Sequence, residues 1–328
     1  MSLIIATHRI LLTDTNSFVA SHILSQLLRA NHSVRAVVWS LSKADAVKAL
    51  FASYPSSSLD CPVVPDMTIP GAFDSDLQSN PPFDIVMHTA SPFLYKTTDV
   101  ATDFLDPAIK GTTEILEGIN RVAVGSVTRV ILTSSFAAVG VYTEEDWNPF
   151  AYRASEKFAE KAEWQEVKKK GPKEWDLVVL NPPMVYGPSA HKNLFLSEKN
   201  ATETEVPPNR LPLYVDVRDL AHAHVLAMDA SSTSNQRFLV TAGAVTSQEI
   251  SDIFRKEVLG TLERPPKGIP GTSTLLECAF SADATKVKTM LRLEFRSKKE
   301  TFASLGIQLL EIEEKKEGEV SSAKGQFE

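Results

Sequence analysis

"ILLTDTNSFVASHIL", residues 10–24, joins an apolar run to a helix-spaced run through a short polar turn. Ile10, Leu11 and Leu12 read as a buried strand. From Ser17 onward Phe18, Ile23, Leu27 and Leu28 recur at helical spacing. A strand that turns directly into a helix has the layout of a nucleotide-binding turn, yet this turn holds no glycine. Asp14 and Asn16 offer side chains that can cap the helix instead.

The same alternation continues outward. Residues 33–39 read as a second strand, followed by a helix over 42–50. Strands three and four fall at 61–65 and 83–90, and a long helix spans 103–124. Strands five and six fall at 128–135 and 176–182, with a charged helix over 153–169 between them. Such repeats imply a parallel sheet covered on both faces. The expected fold is therefore a doubly wound, Rossmann-like α/β sheet, with ligands beyond the carboxyl ends of the strands. After Pro182 the pattern becomes irregular: a strand near 213–216, a helix over 217–230, a strand near 236–241, then two or three helices. The expected division is a core over 1–180, rejoined by 213–241, and a smaller, mainly helical C-terminal lobe over 181–328 on the substrate side. The charged tail from Glu311 is expected to fray.

Composition narrows the function. With 328 residues, 43% of them hydrophobic, the chain can bury a core without disulfide staples. A net charge of −7 offers no basic surface for nucleic acid. Cys61 and Cys278 are isolated, which fits a reducing, cytoplasmic setting. No apolar run is long enough to span a bilayer. The sequons at Asn31 and Asn200 read as accidental.

Six blocks then point to a family: "HTASPF" (88–93), "KGTTEIL" (110–116), "VILTSSFAAV" (130–139), "AYRASEKFAEKAEW" (151–164), "NPPMVYGP" (181–188) and "LPLYVDVRDLAHAHVLAM" (211–228). In this order they resemble the extended short-chain dehydrogenases, in the branch of dihydroflavonol reductases and fungal methylglyoxal-type aldehyde reductases. The resemblance covers nearly the whole chain. It implies NADP(H), a T-G-x-x-G-x-x-G turn, an Arg ending the second strand, and a Ser, a Tyr and a Lys four residues after the Tyr.

Laid on this chain, the three turn glycines fall on Asp14, Ser17 and Ala20. Ala20 permits close helix–strand packing. Asp14 brings a carboxylate toward a pyrophosphate, costing about 1 kcal/mol per charge pair in water and about 4 kcal/mol at an effective dielectric of about 20, for charges about 4 Å apart. The Arg falls on Trp39, with Lys43 nearby. The Tyr is Tyr152, but the Lys position holds Glu156, and Lys157 is rotated about 100° around the helix. Ser135 matches the family's carbonyl-binding hydroxyl. The segments 136–151 and 189–210 are shorter than in relatives.

These departures, taken together, lead to an expectation of no cofactor and of non-redox chemistry on a hydrophobic small molecule: an isomerase, cyclase, dehydratase or pericyclase of secondary metabolism. Tyr152 is then the hydrogen-bond donor or general acid, Ser135 the carbonyl or oxyanion partner, and Glu156 or His88 the base. Phe93, Met184 and Tyr186 line the substrate pocket, with Trp147, Phe150 and Phe195 as an apolar wall. One alternative is an NADP(H)-dependent aldehyde or ketone reductase with an atypical turn; another is a catalytically dead binding or regulatory protein. His222 and His224 lie two apart on a helix and face different ways, so no metal site is expected. His191 reads as a surface residue. Asp216 and Asp219 read as local partners of Arg218.

Overall fold

The computed structural model describes residues 7–90, 106–139, 159–162, 164, 165, 167, 175–190, 206, 211–261, 264–272, 275 and 282–324, with side chains through Lys315. The chain divides into two compact units. The first comprises residues 1–182, 220–240 and 285–293; the second comprises 183–219, 241–284 and 294–328.

The first unit is built on a seven-stranded parallel sheet. Its strands are β1 (Arg9–Leu12), β2 (Ser33–Ala36), β3 (Leu59–Asp60), β4 (Ile85–His88), β5 (Arg129–Thr133), β6 (Asp176–Asn181) and a returning strand, Gln236–Leu239. The spatial order is β3-β2-β1-β4-β5-β6 and then the returning strand. All neighbours pair in parallel, with Leu12 opposite Ala36 on one side and Met87 on the other. This is the expected Rossmann-like α/β fold. Third-strand pairing lies at Leu59–Asp60 rather than 61–65, where only a Val38–Val63 bridge continues the edge.

Apolar runs in these strands alternate between two covered faces, the period-two rule of strands. Leu11, Val86, Val130, Leu132, Leu177 and Val179 pack with Leu77, Ile115, Leu116 and Ile119. Leu77 comes from α3 (Asp74–Leu77), the others from α4 (Asp106–Val122), which follow α1 (Phe18–Arg29) and α2 (Leu41–Leu50) in the chain. Ser17 and Ser40 cap α1 and α2 by accepting the amides of Ala20 and Lys43. In α1 the buried face is Ala20, Ser21, Ile23, Leu24, Leu27 and Leu28, and Phe18 is only half-buried.

Arg129 ties the far end of the sheet to α5 (Val217–Asp229). It is buried and paired with Asp176 through two nitrogens at 2.7 and 2.8 Å. It also donates to the carbonyls of Ala227, Met228 and Ala230 at 2.6, 3.1 and 3.0 Å. Those carbonyls end or follow a helix and lack intrahelical donors, so a cation is the favoured partner.

The second unit holds a small sheet of β7 (Met184–Tyr186), β8 (Leu213–Asp216) and Gly243–Ala244, in which β8 is central. Around Tyr214, Val245 and Phe302 pack Ile250, Ile253 and Phe254 of α6 (Ser247–Glu257). Phe302 belongs to the last helix, α8 (Lys298–Lys324); α7 (Thr285–Met290) lies in the first unit. Helix α8 runs to Lys324, through most of the tail expected to fray. Charge does not oppose helix there: Glu, Lys and Ala are strong helix formers, and Glu311 and Lys315 stand four apart. Among the described residues no helix is long and apolar enough to cross a membrane.

Candidate active site

The chain turns as soon as β1 ends. Thr15 N–H donates to Val37 O at 3.1 Å, and Ser17 N–H to Asp14 O at 2.9 Å. Asp14 sits at φ 50°, in the left-handed region that glycine enters freely and Asp tolerates better than most residues. Ser17 accepts Ala20 N–H at 3.4 Å, supplying the cap. Asp14 and Ser17 thus occupy the two glycine positions, one at a positive φ and the other as the helix cap. The first amides of α1, at Phe18 and Val19, have no intrahelical acceptor and form the positive end of the helix.

Beside the turn, at the carboxyl ends of β1 and β2, lies a cavity of about 560 Å³. Thr13, Asp14, Val38, Trp39, Asp66 and Met67 are among its lining residues. Trp39 is 55% exposed, and the Lys43 ammonium lies 5.6 Å from the centre of its ring. Trp39 thus meets α2 through a cation–π contact with Lys43, and its indole also lines the cavity. Burial pushes the Asp14 carboxyl up to about 6, against the opposing pull of the Ser17 hydroxyl and Lys43. Asp66 and Met67 escaped the sequence reading. The available signal was their place just past the third strand, where ligands of this fold gather.

His88 is 1% exposed. Thr13 Oγ1 lies 3.0 Å from its Nδ1 and accepts the amides of Thr89 at 3.1 Å and Ala90 at 3.2 Å. With both lone pairs of that oxygen engaged, its proton goes to Nδ1, and Nε2 carries the ring proton. Burial holds the imidazole down at about 4, so it is neutral at physiological pH. Nε2 has no partner among the described residues. For His88 as a base, the contacts among the described residues point the other way: Thr13 leaves the proton on Nε2, and the ring is buried.

Ser135 follows β5. Its Oγ accepts Ala137 N–H at 3.1 Å, which leaves its own proton available to donate. Its carbonyl accepts Asn181 Nδ2–H at 3.0 Å. The same Nδ2 donates to Glu160 Oε2 at 2.8 Å, and Ser134 Oγ–H donates to that oxygen at 2.7 Å. Trp164 Nε1–H reaches Glu160 Oε1 at 3.2 Å, and Arg237 forms an ion pair with it. Glu160 escaped the sequence reading because the charged stretch 153–169 looks solvated, yet this carboxylate is 1% exposed.

Tyr152, Glu156, Lys157, Phe93, Trp147, Phe150, His191 and Phe195 lie outside the described residues. Met184 is 44% exposed. Tyr186 packs on Phe302 within the second unit, ring centres 5.1 Å apart. His224 is buried, with Nδ1 2.8 Å from Leu220 O and Nε2 2.7 Å from Thr133 Oγ1, whereas His222 is exposed. Among the described residues no group of side chains is placed to hold a metal. Asp216 pairs with Arg218 at 2.7 Å, but Asp219 pairs with Arg296.

Comparison with known proteins bears directly on this site. A model of the NAD dependent epimerase/dehydratase family matches residues 10–241. The NADPH-dependent methylglyoxal reductase of Saccharomyces cerevisiae is 33% identical, over 93% of this chain and 98% of its own. A ketoreductase of Aspergillus niger is 34% identical, over 88% of this chain and 93% of its own. The crystal structure of Gre2 from Candida albicans in complex with NADPH superimposes with a TM-score of 0.86, at 28% identity, over 93% of this chain and 99% of that one.

These likenesses overturn two expectations. Cofactor-independent, non-redox chemistry is contradicted by full-length relatives that are reductases. Absence of a cofactor is contradicted by NADPH in the name of one relative and in the crystal of another. The expectations failed because each lost motif residue was weighed as a full loss. In the folded chain Asp14 keeps the glycine-like φ, and burial draws its carboxyl toward the neutral form.

Proposed function

The chain belongs to the NAD-dependent epimerase/dehydratase family, and on that premise we propose that it is an NADP(H)-dependent reductase of aldehydes or ketones carried on hydrophobic small molecules. The observation that carries this reading is the cavity beside the α1 N-terminus, lined at the turn by Thr13 and by Asp14 at φ 50°.

The residues present fit a dinucleotide. The first amides of α1, which have no intrahelical acceptor, suit a pyrophosphate. Val38 and Met67 give the cavity apolar walls for a flat base, and Asp66 offers a carboxylate to an exocyclic amine. Lys43 takes the place of the missing guanidinium, as a cation for a 2′-phosphate. When bound, the cofactor supplies the hydride that adds to a carbonyl carbon.

The protein has two remaining tasks. Ser135, its lone pair held by Ala137, donates a hydrogen bond to the carbonyl oxygen and polarises it. Tyr152, by its match to the family tyrosine, gives that oxygen the proton that completes an alcohol. Glu156 stands where the family resemblance places a Lys, so that position offers no cation to favour a phenolate, which suits a Tyr152 that donates its proton in the direction of reduction.

The test is titration of the purified protein with NADPH, followed by the loss of reduced-nicotinamide absorbance on addition of 2-oxoaldehydes and aryl ketones. Saturable binding and cofactor-dependent turnover are expected. Failure to saturate by about 1 mM, the upper end of ordinary enzyme constants, overturns the reading.

A further inference from the structure

Position 14 poses a chemical problem that the fold itself resolves. The Asp14 backbone is pinned: its carbonyl accepts Ser17 N–H at 2.9 Å, and the next residue's amide is tied to Val37 O at 3.1 Å. The side chain therefore has a fixed origin at the mouth of α1, and it lines the cavity. The Ser17 hydroxyl is hydrogen-bonded to its carboxyl. A carboxylate at that point repels a phosphate, whereas a carboxylic acid is a hydrogen-bond donor to it.

We propose that Asp14 is a ligand of the cofactor's pyrophosphate that binds in its protonated form, donating its O–H to a phosphate oxygen, so that each dinucleotide bound takes up one proton. This inference rests on the reductase reading. Burial already moves the carboxyl up to about 6 in the free protein, and an adjacent phosphate moves it further in the same direction. Of the groups around it, the Ser17 hydroxyl and Lys43 of α2 favour the ionised form, and Asp66 is a further carboxylate on the lining of the same cavity. His88, joined to the turn through Thr13, stays neutral above about 4 and does not titrate in the same range.

The sign follows from linkage. Below about pH 6 the acid is already present and affinity is level. Above it the protonated fraction falls tenfold per pH unit, and affinity falls with it. From pH 6 to pH 8 the dissociation constant should rise roughly 50-fold.

The experiment is calorimetric titration with NADP⁺ and NAD⁺ from about pH 5.5 to pH 8, each in two buffers of different ionisation enthalpy. NAD⁺ is included because it lacks the 2′-phosphate, which itself titrates near pH 6. The variants are Asp14→Asn, whose amide donates at any pH and tolerates positive φ, and Asp14→Gly, which restores an unstrained turn should Asp14→Asn fold poorly. Expected are the roughly 50-fold decline and uptake of about one proton near neutrality for wild type with NAD⁺. Asp14→Asn should give a level profile at the wild type's low-pH affinity, and Asp14→Gly a level profile with no proton uptake. A level wild-type profile, or the same decline in either variant, overturns the proposal and leaves the reductase reading standing. No saturable binding by any of the three proteins at any pH overturns both.

Discussion

Ser134 donates its hydroxyl proton to Glu160 at 2.7 Å, so one buried carboxylate orients the residue immediately before Ser135. Asn181 doubles the constraint by bridging Glu160 and the Ser135 carbonyl. Removing a buried, paired charge leaves its partners unsatisfied and typically costs about 3–5 kcal/mol. Glu160→Ala should therefore lower the melting temperature strongly. Glu160→Gln keeps the shape and two acceptor sites, and should cost less. If ketone reduction depends on the Ser135 donor, Glu160→Gln should also lower kcat more than it raises KM. A Glu160→Ala variant with wild-type melting temperature would show that the network does not hold this loop.

Asp14 has a stability signature independent of any ligand. Its folded value of about 6 stands above its ordinary 3.8, so its contribution is full below pH 3.8 and is lost as pH rises through about 6. The loss is about 3 kcal/mol, at about 1.4 kcal/mol per unit. Asp14→Asn removes that dependence. The difference in unfolding free energy between variant and wild type should grow in the variant's favour from pH 4 to pH 7, then level off. A difference that stays constant over this range would mean that the carboxyl is solvated.

The amino ends of β1 and β2 carry two opposed histidines. His8 bonds to Asp84 and also lies 2.9 Å from Asp229, and both carboxylates raise its pKa despite burial. Its ring centre is 5.4 Å from that of His32, whose pKa burial and His8 lower. The His8 contribution is thus present below pH 6.5 and lost as pH rises through its raised value. The His32 contribution is present above pH 6.5 and lost as pH falls. Chemical denaturation across this range should find His8→Gln most harmful at acidic pH. His32→Gln should be relieved there. Equal pH profiles for the two variants would refute the pairing.

Legibility in the sequence followed apolar content. The central strands were readable because strands buried on both faces are nearly continuous apolar runs, as in Val130–Leu132 and Leu177–Leu180. The short β7 has too few residues for any period to show. The turn was readable in position but not in consequence: its sequence reveals the lost glycines, while the φ of Asp14 and the pull of burial on its carboxyl exist only in the folded chain. Glu160 looked like solvated surface because its partners Ser134, Asn181 and Arg237 come from distant parts of the chain. Tyr152 rests on its motif alone.

Lys43 carries the last prediction, which concerns cofactor choice. It lies in the first turn of α2, four residues after Trp39, the position where the family resemblance places an Arg, and its ammonium is 5.6 Å from the centre of the Trp39 ring. An ammonium is a point charge and lacks the two-pronged geometry of guanidinium, so it reads the charge of a 2′-phosphate more than its shape. A hydrogen bond to a charged group contributes about 1.5–3 kcal/mol. Lys43→Met keeps an unbranched apolar stem against the indole while removing the charge. It should weaken NADPH roughly 10-fold to 150-fold and leave NADH unchanged, because NADH has no 2′-phosphate. Trp39→Arg should shift the ratio the other way, by restoring a bidentate donor. Raised salt should narrow the wild-type preference and have less effect on Lys43→Met, since the lost attraction is the screened one. The measurement is the ratio of NADH to NADPH dissociation constants by fluorescence titration, at two ionic strengths, with melting temperatures as the control for folding. A ratio unmoved by Lys43→Met would mean that the 2′-phosphate is read from elsewhere, and that Lys43 serves only to cover Trp39.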